Sequence, residues 1–88
     1  MSQPQLDAIA AAARDVAYWE AFVAKKKQFD PATQATHTRN CQVARAALKA
    51  AQKASVAQGC TTSMQAEAVR KGRQLGVKDA VQALKSAA

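Results

Sequence analysis

The sequence predicts an all-α protein, a long antiparallel helical hairpin followed by two short C-terminal helices, in a single domain over residues 1–88. Three observations support this class. Alanine fills 23 of the 88 positions, and glutamine, lysine and arginine are also frequent, a composition that favours helix. Only 3 glycines and 2 prolines interrupt the chain. The larger apolar residues recur at spacings of three and four, as they do along one face of a helix.

The first helix is predicted to run from Gln3 to Lys27. Its apolar residues fall at spacings of three, four, three and seven, so they form one stripe: Leu6, Ile9, Ala13, Val16 and Val23. Trp19 borders this stripe and is expected in the core.

A break is predicted at Asp30 and Pro31. Pro31 disfavours the helical conformation for Asp30, but it suits the first position of a new helix that Asp30 caps. Because the connection is short, the second helix should fold back on the first. It is predicted to span Pro31 to Gln58 and to stop at Gly59, a residue type that commonly ends helices. The hairpin thus covers residues 3–58.

The second helix is expected to pack through a face of small residues, so that a partner helix can approach closely. This face comprises Val43, Ala44, Ala47, Ala50, Ala51 and Ala54, flanked by His37, Cys41 and Leu48. The opposite face is polar and basic, with Gln42, Arg45, Lys49, Gln52 and Lys53.

Two short helices are predicted at residues 63–71 and 77–86. Gly72 and Gly76 are interpreted as the breaks that end the first and precede the second. Thr62 is followed three residues later by a glutamine, the capping-box pattern that marks the start of a helix.

The segment Glu67–Leu84 resembles a helix-turn-helix motif, since it places Gly76 at a turn between two helical stretches. It departs from the family pattern because Val81 lies five residues past that glycine, where the family has an apolar anchor six residues past it. The second stretch also offers no asparagine or arginine to read bases. These departures favour a plain pair of packing helices, with the true motif as the alternative.

The charge balance points to a polyanionic partner. Thirteen Lys and Arg against 6 Asp and Glu give a net charge of +7. Arg45, Lys49 and Lys53 are spaced four apart, which lines three cations along about 12 Å of one helix side as a track for nucleic-acid phosphates. Other cations that could add to the track are Lys25, Lys26, Lys27, Arg70, Lys71, Arg73 and Lys78. The alternatives are a solvated face that keeps an alanine-rich protein in solution, or a surface for acidic proteins.

The aromatic residues suggest a second class of function. Tyr18, Phe22 and Phe29 form a strip about 100–140° around the first helix from the apolar stripe, with Trp19 beside them. One alanine-rich helix cannot cover both sides, so the strip is expected to pack on the C-terminal helices or in a homodimer. The alternative is an exposed hot spot that docks on a larger protein target, as in a small inhibitor, an adaptor or a phage-type accessory protein.

No catalytic constellation is recognisable. Paired carboxylates, glycine-rich phosphate loops and the CxxC, HExxH and GxSxG motifs do not occur, so neither an enzyme nor a cofactor is expected. His37 and Cys41 lie one turn apart and could supply two zinc ligands, but a structural site needs about four. Two semi-buried packing residues are the favoured interpretation, and no metal is expected.

The chain is expected to be cytoplasmic and without a membrane partner. No stretch approaches the roughly 18 apolar residues of a membrane span, and the first residues lack the features of a signal peptide. Cys41 and Cys60 should lie about 28 Å apart along a continuous helix, too far for an intrachain disulfide. Reduced thiols suit the cytosol.

Overall fold

The computed structural model of the protein describes residues 3–25 and 28–87. They form three helices: α1 (Gln3–Val23), α2 (Pro31–Ala57) and α3 (Thr62–Ala87). No β-strand occurs in these two ranges, so the predicted all-α class is confirmed. No helix within them is long and apolar enough to cross a membrane.

The connection between α1 and α2 is short and capped as predicted. Asp30 is the N-cap of α2, because its carboxylate accepts hydrogen bonds from the backbone N–H of Thr33 (3.4 Å) and from the Thr33 hydroxyl (2.5 Å). Pro31 occupies the first turn, where its missing N–H costs nothing. The first helix ends at Val23 and not at Lys27, which lies outside the described residues.

The end of α2 follows from the conformation of Gly59. This glycine has a φ of +84°, in the left-handed region that favours glycine. Its N–H donates to the carbonyl of Val56 (3.0 Å), and the N–H of Cys60 donates to the carbonyl of Ser55 (2.9 Å). These two bonds make a Schellman motif, which satisfies carbonyls that the helix end would otherwise leave open. The predicted stop at Gly59 is confirmed.

The C-terminal third is one helix, so the prediction of two short helices at residues 63–71 and 77–86 was wrong. α3 continues from Thr62 to Ala87 without a break at Gly72 or Gly76. This continuity also excludes a helix-turn-helix in that segment, which would need a turn at Gly76. The helix is capped one residue earlier than the pattern suggested, since the Thr61 hydroxyl accepts from the backbone N–H of Met64 (3.1 Å).

The two glycines are required by packing and do not act as breaks. A Cβ added at Gly72 would lie 2.1 Å from the carbonyl oxygen of Ala10, and one added at Gly76 would lie 2.2 Å from the carbonyl oxygen of Arg14. No side chain fits at such distances, so the backbones of α1 and α3 touch here. The contact pairs advance together along both helices, which means that α3 runs in the same direction as α1.

Helix α1 lies between the other two helices and makes the extensive interhelical contacts with both. Near the start of α2, the amide of Gln34 donates to the carbonyl of Val23 at the end of α1 (3.1 Å), so α2 runs back along α1. Completely buried positions occur on all three helices, at Ile9, Ala13, Ser55 and Ala80. Because most of the buried apolar residues are alanines, stability depends on the close approach of the helices.

Helix α2 packs through Ala44 of the predicted face, through His37 and Cys41, which were expected only to flank that face, and through Ser55. His37, Cys41, Ala44 and Ser55 are buried, whereas Val43 is 63% exposed. The alanine face was predicted wrongly at four positions that face solvent: Val43, Ala47, Ala50 and Ala54. The physical reason is that α1 presents aromatic rings to α2, and covering rings buries far more apolar area than covering methyl groups.

The cysteine prediction is confirmed. Cys41 and Cys60 are both buried, and no disulfide joins them. Helix α2 is continuous between Val43 and Ser55, as the separation of the two thiols required.

Candidate nucleic-acid interface

Helix α2 carries a basic surface with no acidic residue on the same helix. This helix contains four cations and no Asp or Glu between residues 31 and 57. Lys49 and Lys53 lie one turn apart and are both exposed. Neither forms an ion pair with a carboxylate in the described part of the chain, so both ammonium groups are available to a ligand.

Arg45, the first member of the predicted track, is already engaged. One guanidinium nitrogen lies 3.1 Å from Glu20 Oε2, and a nitrogen of Arg73 from α3 lies 2.7 Å from Glu20 Oε1. One carboxylate of α1 thus receives an arginine from each of the other helices. Two of the three arginines in the sequence prediction, Arg45 and Arg73, are brought together here, although 28 residues separate them in the chain.

The surroundings of Glu20 keep its carboxylate ionised. Partial burial raises the pKa of Glu20, but the hydrogen bonds and charges of Arg73 and Arg45 outweigh burial, and the pKa lies below its ordinary value of 4.5. The cluster of three side chains therefore carries a net charge of about +1 at neutral pH.

Two further candidate cations share one carboxylate within α3. Arg70 and Lys71 approach the carboxylate of Glu67 at 2.7 Å and 3.9 Å, one turn away on the same helix. The hydrogen bond from Arg70 holds the pKa of Glu67 below its ordinary value. These two cations are less available to phosphates than Lys49 and Lys53.

The remaining candidates are dispersed. Lys25 is exposed just past the end of α1, and Lys78 is exposed on α3. Lys26 and Lys27 lie outside the described residues.

One cation of α2 was overlooked in the sequence. Arg39 is exposed and forms no ion pair among the described residues. It was missed because it does not continue the four-residue spacing that runs from Arg45 to Lys53. Its angular position was the available signal, since at 100° per residue it lies about 80° from Lys49.

The aromatic residues form one cluster around His37 of α2. The imidazole lies 5.1 Å from the ring of Phe22, 4.5 Å from that of Phe29 and 5.6 Å from that of Trp19, between ring centroids. Tyr18 joins through Phe22 at 4.9 Å. Phe22 is buried and the other three aromatic rings are half-buried, so the strip is covered largely by its own chain.

His37 and Cys41 lie on the packing face of α2, and both are buried. The described residues contain no group of three or more His, Cys, Asp or Glu side chains that could hold a metal ion. The Nδ1 atom of His37 is buried and makes no hydrogen bond within the described structure.

No protein-family model matches the chain, and neither a curated protein nor a solved structure matches it.

Proposed function

We propose that the protein is a small non-enzymatic binder of nucleic acids that contacts phosphates through the exposed basic side of α2. The observation that carries the proposal is the exposed, unpaired pair Lys49 and Lys53 on a helix that has no carboxylate between residues 31 and 57. A phosphate backbone approaching this side meets cations and no competing anion from the helix itself.

The interaction is expected to be electrostatic and indifferent to sequence. Lysine ammonium groups bind phosphates as point charges and do not read base edges. Each phosphate contact releases condensed counterions, so the affinity should fall steeply with salt, by about one unit of log–log slope per contact. The net charge of +7 adds long-range attraction.

The test compares two double variants that remove the same charge. K49Q/K53Q removes the α2 lysines, and K78Q/K85Q removes two exposed α3 lysines that the proposal does not use. Glutamine retains helix propensity, so both variants should fold. Binding to a 16-base-pair duplex and to a single strand is measured by fluorescence anisotropy between about 25 and 200 mM salt. This range includes the salt concentrations, about 50 to 200 mM, over which the affinity of a phosphate-binding protein falls steeply.

K49Q/K53Q should bind more weakly to every sequence, with a salt slope flatter by about two units. K78Q/K85Q should retain the slope of the unaltered protein. Phosphate contacts are already strong at roughly 50 mM salt. If the unaltered protein does not bind even at about 25 mM salt, the proposal is wrong. If the α3 variant loses the slope instead, the contacts lie on α3.

The protein-docking alternative is not favoured by the structure of the aromatic cluster. Phe22, its central anchor, is buried against His37 and so is not an exposed hot spot. A homodimer is retained within the proposal because Val43 and Val56 of α2 and Val77 and Val81 of α3 are about half or more exposed. Light scattering tests the homodimer, because its mass in solution should be twice the 9.3 kDa of one chain.

A further inference from the structure

Two arginines from different helices converge on one carboxylate at the surface. The side chains of Arg45 and Arg73 are 58% and 45% exposed, and that of Glu20 is 33% exposed. Each carboxylate oxygen takes a hydrogen bond from a different guanidinium. The two arginines are therefore held at the separation at which a single two-oxygen anion bridges them.

A phosphodiester offers the same acceptor pattern as that carboxylate. It carries one negative charge and two unesterified oxygens, and guanidinium groups bind carboxylates and phosphates with closely similar geometry. The three side chains leave a net charge of about +1, so an incoming phosphate is attracted to the cluster even while Glu20 is in place.

The Arg45 side of the cluster borders an open depression, which Arg73 does not line. A depression of about 340 Å³ opens beside Glu20 and Arg45, and Thr38 and Gln42 of α2 contribute polar side chains to its lining. The α2 residues that line it precede Lys49 and Lys53 on the same helix, by between about one and about four turns.

The cluster of Glu20, Arg45 and Arg73 differs from the second group in which one glutamate binds two cations. Glu67 binds Arg70 and Lys71 at spacings of three and four within α3, an arrangement common on solvated helices. Arg45 and Arg73 meet only because the tertiary fold brings α2 and α3 to the same point of α1.

We infer that Arg45 and Arg73 form a two-arginine phosphate clamp whose site Glu20 occupies in the unbound protein. The inference rests on the proposed function, because it assigns a second phosphate contact to that interface. Binding of a phosphate there breaks the hydrogen bonds to Glu20 and replaces them with bonds to the phosphate oxygens. Glu20 thus lowers the affinity of the free protein for nucleic acid.

The experiment compares E20Q with the matched variant E67Q. Each removes one negative charge beside two cations, so both change the net charge of the protein equally. E20Q should bind the 16-base-pair duplex about tenfold more tightly at low salt, with a salt slope steeper by one to two units, because both arginines become available to phosphate. E67Q should gain much less. Circular dichroism melting establishes that each variant is folded before binding is measured.

A second measurement identifies the arginines. Replacing both in the E20Q background, as E20Q/R45Q/R73Q, should abolish the gain. Equal gains in E20Q and E67Q would mean that net charge alone is responsible and would overturn the clamp. An E20Q protein that binds no better than the unaltered one would also overturn it, while leaving the contacts of Lys49 and Lys53 intact. If neither the unaltered protein nor E20Q binds, both the clamp and the proposed function are wrong.

Discussion

Gly72 and Gly76 bring the backbones of α1 and α3 into contact, and no other residue type fits there. Glycine in a helix interior lowers helix stability by about 1 kcal/mol relative to alanine, which is why the sequence suggested breaks at these positions. In the structure these glycines instead allow the backbones of α1 and α3 to approach closely at Ala10 and Arg14. A packing face could have been recognised from four small residues at every fourth position: Ala68, Gly72, Gly76 and Ala80. All four are buried in the structure.

Gly72→Ala should destabilise the protein although alanine is the better helix former. The added Cβ would lie 2.1 Å from the carbonyl oxygen of Ala10, so α1 and α3 must move apart. We expect the free energy of unfolding to fall by about 2 kcal/mol or more, as in overpacked cores. Urea denaturation measures it. Ala66→Gly, at an exposed position of α3, is the control and should cost about 1 kcal/mol through helix propensity alone. A stabilised G72A protein would contradict the close approach.

Most residues whose role is local were predicted correctly, although the cap of α3 was placed one residue too late. Asp30, Pro31 and Gly59 act through bonds and dihedral angles within a few positions of the chain, so their sequence context contains the information needed. Gly72 acts through a helix that begins more than 60 residues earlier, and a local pattern cannot contain that information.

At the level of the helices, the termini of α2 were predictable and its packing face was not. The alanines of α2 are spread around the helix, so small residues alone do not identify one face. The face is chosen by Phe22, Trp19 and Phe29, which surround His37 from α1 and the following loop. The exposed basic side, including Lys49 and Lys53, was predictable because lysine side chains stay in solvent whichever other face packs.

The start of α3 provides a test with an internal control. Thr61→Ala removes the hydroxyl that accepts from the N–H of Met64, and it should lower the free energy of unfolding by about 1 kcal/mol. Thr62→Ala changes a residue already inside the helix, where alanine has the higher propensity, and should leave stability unchanged or slightly raise it. Chemical denaturation of both variants decides which threonine is the cap. A larger loss for T62A would mean that the helix begins one residue later.

At the scale of the whole chain, the length of α3 changes how the apolar surface of α1 is covered. Two short helices were predicted in the C-terminal third, and a homodimer was expected because one alanine-rich helix cannot cover both sides of the first helix. The structure has a single helix of 26 residues there, packed against α1 along its glycines. Much of the covering expected from a second copy is thus supplied within one chain. The position of α1 between α2 and α3 depends on this contact between α1 and α3. The pattern of each helix taken by itself does not contain that information.

Among the described residues, Glu20 joins all three helices by ion pairs, and its carboxylate makes stability depend on pH in the acid range. Its pKa is lowered in the folded protein, so folding favours the ionised form. The stabilisation is complete above the ordinary value of 4.5 and is lost as the pH falls through the folded pKa. Asp30 and Glu67, whose pKa values are lowered by hydrogen bonds from Thr33 and Arg70, add to the same acid-side loss.

The contribution of Glu20 can be separated by comparing the unaltered protein with E20Q from neutral pH downward. At neutral pH the unaltered protein should be more stable by at most about 1 kcal/mol, because these ion pairs are largely exposed to solvent. The difference should shrink once the pH falls below the ordinary pKa of a glutamate and vanish when Glu20 is protonated in both states. Urea denaturation at each pH measures the two curves. A difference that stays constant down to the lowest pH would show that the charge of the Glu20 carboxylate does not contribute to the stability difference between the two proteins.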